Sequence, residues 1–180
     1  MDVQKIAVKF FAADAPALRL EEFIPVFHRW IQERRVDGTL VDVADYSHLA
    51  NGPGVMLVGH EADYSMDAAE GPLGLLYSRK MALDGPPADR IRAAFRSAQE
   101  ACAKLEEDLK GRIQFDTRKA LVILNDRLGA PNSEETMAAF RPPLESALAA
   151  VYPGAKPAVW RDVADPRRRF AVHVQAGGGA

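Results

Sequence analysis

The feature that most restricts what this chain can fold into is a pattern that occurs twice. Phe23, Val26, Phe27, Trp30 and Ile31 fall at i, i+3, i+4, i+7 and i+8, which is one face of a helix. Phe140, Pro143, Leu144, Ala147 and Leu148 repeat that spacing, and each stripe has a proline two places after its Phe, Pro25 and Pro142. A short apolar, β-favouring run precedes each, residues 6–11 and 120–124. Downstream, Asp42-Val43-Ala44-Asp45 recurs as Asp162-Val163-Ala164-Asp165, and each copy leads through a loop to an alternating run, 55–60 and 170–174.

The chain therefore reads as a duplicated β-α-β-β unit, with repeat one at about residues 5–64 and repeat two at about 119–175. An inserted strand and a long central helix, residues 74–111, lie between them. One unit of about 55 residues buries too little surface to stand comfortably alone. Two can share one sheet, or pack about a pseudo-two-fold axis. The fold class is then α+β, a single domain over residues 1–176 with a largely antiparallel sheet and helices on one side. Residues 177–180, all Gly and Ala, read as a flexible tail.

Finer punctuation fits this frame. Pro25 suits a first helical turn, and Asp37-Gly38 ends that helix. Residues 40–46 read as a strand, Asn51-Gly52-Pro53-Gly54 as a turn, 55–64 as a third strand and 74–80 as a fourth. After Asp84-Gly85-Pro86-Pro87 a long helix starts near Ala88, with Ile91, Ala94, Phe95, Ala98, Ala101, Cys102, Leu105 and Leu109 on one stripe. The one cysteine, Cys102, falls on that stripe and reads as a buried, unreactive thiol.

Composition excludes several classes. With 23 basic and 25 acidic residues the formal net charge is −2, so no global positive field speaks for nucleic acid or an anionic membrane. Arg167-Arg168-Arg169 is a basic turn beside Asp162 and Asp165, with no interleaved aromatics. A single cysteine leaves no disulfide framework. No window holds the roughly 18 apolar residues of a membrane helix, and the start lacks a secretory leader, so the expected location is cytoplasmic. Neither a phosphate-binding Gly-x-x-x-x-Gly-Lys-Ser/Thr loop nor a Gly-x-Ser-x-Gly elbow occurs.

The order of elements resembles the gyrase-inhibitor-like ligand-binding domains, which are built from tandem strand-helix-strand-strand units. That resemblance implies a cleft across the pseudo-axis for small, often apolar or cationic molecules, with some members hydrolases, and it transfers no individual residue. The stretches PVFHRW, DVADYSH and GPGVMLVGHEADYSMD, residues 25–30, 42–48 and 52–67, also look like a motif of uncharacterised bacterial proteins of similar length.

Polar groups able to do chemistry concentrate between residues 42 and 79, including Glu61 and Asp67. The second repeat has Pro166 where the first has Tyr46, and Gln175 near the place of His60. The expected ligand contacts are Tyr46, His48, His60, Tyr64, Tyr77 and Arg79, in a groove between the repeats. Three readings stand side by side. The first is a small-molecule-binding protein. The second is an acid/base enzyme with His60 as base, Glu61 or Asp45 as orienting acid, and Tyr64, Tyr77 or Arg79 polarising substrate. The third is a module that forms a homodimer through a sheet edge or the long helix. No cofactor, metal, membrane or nucleic-acid partner is expected. The four histidines lack i, i+4 pairing, although His48 and His60 flank one hairpin, with Asp45 or Glu61 beside them. Asp45 and Asp165 each suit an Asx turn on leaving a strand.

Overall fold

The computed structural model describes residues 1–13, 18–49, 52–69, 71–163, 165 and 167–177. Asn51 of the expected turn, Ala164 and Pro166 of the second repeat, and residues 178–180 of the expected tail lie outside the described residues. Among the described residues the fold is α+β, with three helices against one face of an eight-stranded antiparallel sheet.

The strands are β1 (Ile6–Ala12), β2 (Leu40–Tyr46), β3 (Gly54–Gly59), β4 (Ala62–Asp67), β5 (Gly74–Arg79), β6 (Phe115–Leu124), β7 (Ala158–Arg161) and β8 (Ala171–Gln175). Their order across the sheet is β2-β3-β4-β5-β1-β6-β8-β7. The helices are α1 (Phe23–Glu33), α2 (Pro87–Asp108) and α3 (Glu134–Val151), with a 3-10 turn at Leu20–Glu22 ahead of α1. No helix among the described residues is long and apolar enough to cross a membrane.

The two strands that open the proposed repeats, β1 and β6, pair antiparallel at the centre of the sheet. The first-half strands lie on one side of this seam and the second-half strands on the other. Next to β6 comes the β7–β8 hairpin, whereas β4 and β5 stand between β1 and the β2–β3 hairpin.

Alternation along the strands separates two faces. Ile6, Val8, Phe10, Tyr64, Met66, Tyr77, Val122 and Val174 point toward the helices and join one large core. The stripe of α2 from Ile91 to Leu105 is buried over the seam, against β1, β5 and β6, so the helical side of the junction is filled. α1 inserts Phe23, Val26, Phe27 and Trp30, while His28 is exposed. Trp30 Nε1 donates to Asp108 Oδ2 at 2.6 Å, tying α1 to the end of α2. Arg29 and Arg35 add ion pairs to the same carboxylate at 3.2 and 3.5 Å.

Three expectations change. Residues 55–64 are not one strand but two, because the chain reverses at His60-Glu61. Gly59 permits the reversal: a Cβ there would sit 2.4 Å from the Ala62 carbonyl oxygen. The prolines of the two stripes also differ in role. Pro25 occupies the first turn of α1, but α3 starts earlier, where Ser133 Oγ accepts from Thr136 N at 3.2 Å, and Pro142 and Pro143 lie inside it. The helix tolerates them because the carbonyls they leave free, on Ala138 and Ala139, belong to its exposed face, where water can bond them. Finally, Asp42 and Asp45 lie within β2, whereas Asp162 and Asp165 follow β7.

Candidate functional site

The other face of the sheet carries no helix among the described residues. At its middle Ala7, Leu76, Leu121, Ile123 and Ala171 form a second, small apolar cluster. Polar side chains interrupt it. On β1, Lys9 shares this face with Ala7 and Phe11, and on β4 the alternation that buries Ala62, Tyr64 and Met66 under the helices sends Asp63, Ser65 and Asp67 here.

Lys9 is 0% exposed, and its Nζ donates to Asp67 Oδ1 at 2.8 Å. The Phe11 ring centroid lies 5.6 Å from the ammonium, within cation–π range. An ion removed from water costs several kcal/mol of hydration, which the attraction of its partner offsets only in good geometry.

Beside this pair is a depression of about 320 Å³ whose walls include Met56, Asp63, Ser65, Asp67, Leu76, Ser78 and Arg169. Strands β3 to β5 supply most of it, Pro53 and Ala69 flank them, and Arg169 reaches in from the loop ahead of β8. Asp63 Oδ1 accepts from Gly59 N at 3.1 Å and from Lys80 Nζ at 2.7 Å. Ser78 Oγ accepts from Asn125 Nδ2 at 3.0 Å, and Asn125 Oδ1 accepts in turn from Arg169 Nη1 at 2.5 Å. That relay holds the arginine and leaves the Ser78 hydroxyl its own proton to donate. Ser65 is 3% exposed, and its hydroxyl makes no hydrogen bond among the described residues.

The residues expected from sequence are distributed differently. Tyr64 and Tyr77 point into the helical core, where their rings meet edge-on at 5.3 Å and Trp30 meets Tyr64 at 6.4 Å. Burial pushes the Tyr64 hydroxyl far above its ordinary range, with Tyr77 second among the causes. His60 is exposed in the β3–β4 turn, and Glu61 beside it fastens that turn to β2, accepting from Thr39 N at 2.7 Å. This backbone hydrogen bond, the largest cause, holds the Glu61 carboxyl below its usual pKa.

His48 and Tyr46 are exposed at the opposite end of the same hairpin, so His48 and His60 do not meet. The six residues of β3 lie between them, about 20 Å at roughly 3.3 Å per residue. Arg79 Nε donates to the Met81 carbonyl at 2.9 Å.

Asp45 and Asp165 make the Asx turns that their positions suggested, accepting from Ser47 N and Arg167 N, each at 2.9 Å. Hydrogen bonds from the Ser47 and Arg167 side chains lead the causes that lower their pKa values. β2 and β7 are the two edges of the sheet, roughly 34 Å apart along it at about 4.8 Å per strand, so these carboxylates form no acid/base pair. Cys102 is buried, and desolvation raises its thiol well above the usual value.

A larger hollow, about 540 Å³, lies at the end of α3. Its cations, Arg118 and Lys156, are both exposed, so it confines no charge and positions no polar group rigidly.

No family model, curated protein or solved structure matches the chain.

Sequence reasoning included Asp67 in its polar region but passed over Lys9, Ser65, Ser78 and Arg169 as site residues. Two signals mark Lys9 and Ser65. Lys9 interrupts an apolar run, and Asp63, Ser65 and Asp67 alternate with Ala62, Tyr64 and Met66 at the period of a strand with two different faces.

Proposed function

We propose that this chain is a small-molecule-binding protein whose site is the depression on the helix-free face of the sheet. The observation that carries the reading is the fully buried Lys9–Asp67 pair at its margin. A buried ion pair contributes little net stability compared with apolar side chains of similar size. Concentrations of buried ionisable groups in clefts are a mark of functional sites. The walls come mainly from residues 53–78, with Arg169 from the second half, so the depression lies mostly within the first-half strands on the helix-free face rather than in the expected groove between the repeats. The same reading keeps a cytoplasmic setting.

A thermal-shift screen of small polar metabolites against the parent and the double variant Lys9→Met/Asp67→Leu tests it. The double variant should melt at or above the parent and lose the shifts that the parent shows. Hits that shift both proteins equally would overturn the assignment.

A further inference from the structure

We propose, resting on that reading of the depression, that its ligand is a neutral polyhydroxylated molecule, a sugar or cyclic polyol, held by Asp63, Ser65 and Ser78. The three side chains share one small area. Asp63 and Ser78 are directly opposite in the β4–β5 register, and Ser65 lies two residues along β4 on the same face. Cross-strand Cβ atoms stand about 5 Å apart and successive same-face positions about 7 Å, so one ring can reach all three.

Their bonding capacity defines the ligand. Ser65, 97% buried by its 3% exposure, lines the depression with its hydroxyl unused as donor and acceptor among the described residues. Ser78 already accepts from Asn125, so what it offers is a proton. Asp63 spends Oδ1 on Gly59 and Lys80, and its Oδ2 is left to accept. A wall that offers one donor, one acceptor and one group of either kind is matched by neighbouring ligand hydroxyls, each of which can donate and accept.

Charge points the same way. Asp63 is paired with Lys80 at 2.7 Å and Asp67 with Lys9 at 2.8 Å. A cationic ligand would compete with two lysines already in place and meet Arg169 in the wall. An anionic one would face the Asp63 and Asp67 carboxylates, with Arg169, already held by Asn125, as the cation in the lining. A neutral ligand disturbs neither pair. Met56 and Leu76 supply apolar contact for the C–H face of a ring, and about 320 Å³ is at the small end of ligand cavities. That size suits one ring rather than a chain.

The test titrates the full chain with D-glucose, D-galactose and myo-inositol, and with putrescine and inorganic phosphate, by calorimetry and amide-shift mapping, in the parent, Ser65→Ala and Ser78→Ala. At least one polyol should bind saturably with shifts at residues 63–78, and Ser65→Ala should weaken it about tenfold. The melting temperature should stay unchanged, since no fold contact is lost. Binding of putrescine or phosphate there, weakened by Ser65→Ala, would refute the ligand class while leaving the site standing. Absence of polyol binding at tens of millimolar would also refute the class. Polyol binding that maps elsewhere and ignores both substitutions would refute class and site together.

Discussion

Replacing Asp67 by Ala is the most informative single perturbation of this sheet. The carboxylate is in a residue only 2% exposed, and Lys9 opposite it is 0% exposed. Removing one member of such a pair leaves an ammonium in a low-dielectric place without that carboxylate, a loss of about 3–5 kcal/mol. For a chain of this size each kcal/mol lowers the melting temperature by about 2–4 °C, so Asp67→Ala should melt roughly 6–20 °C below the parent. Lys9→Met keeps the volume but leaves the buried Asp67 carboxylate without that ammonium, so it should cost a similar amount. Adding it to Asp67→Ala should restore much of the loss, so the cycle is non-additive. Circular-dichroism melts and urea denaturation of the four proteins measure this directly. A loss below about 1 kcal/mol for Asp67→Ala, or simple additivity, would show that the two groups are effectively in water. A binding site built on their burial would then be ruled out.

Two further outcomes follow from the helical side and from the β3–β4 turn. Trp30→Ala, at a residue 0% exposed and bonded to Asp108 at 2.6 Å, should cost about 3–5 kcal/mol, while exposed His28→Ala should stay within about 0.5 kcal/mol; equal losses in denaturation would contradict the helix frame. Glu61, whose folded pKa lies below its ordinary 4.5 through the bond from Thr39, contributes stability that is present above that value and lost as pH falls through the folded one. The stability gap between the parent and Glu61→Gln should therefore be constant near neutrality and shrink on acidification below about pH 4.5, read from urea midpoints; a gap that grows in acid would reverse the assignment.

Much of the fold was legible because it is written in period and punctuation. The spacing of Phe23, Val26, Phe27 and Trp30 allows only one face of a helix to be apolar, and the structure buries these four. Prolines at 86 and 87 end the loop and begin α2 at Pro87, within a residue of the expected start. The Asx turns of Asp45 and Asp165 are local chemistry and were equally readable.

What sequence could not supply is anything that depends on which strands become neighbours. Residues 55–64 are apolar enough for one strand, and only the reversal at Gly59 reveals two; it also puts Met56 and Tyr64 on opposite faces. Sequence therefore grouped His60 with Tyr64, and the hairpin separates them.

The candidate site was hidden for the same reason. Lys9, Asp67 and Arg169 are far apart along the chain, and nothing local brings them together. Side-chain alternation, a local property, determined that Lys9 would differ in direction from Val8 and Phe10. Only the order β4-β5-β1, set by long-range backbone pairing, decided that Asp67 would stand within 2.8 Å of it. Periodicity along one segment specifies which way a side chain points; the partner it meets there is specified by free energy summed over the whole sheet.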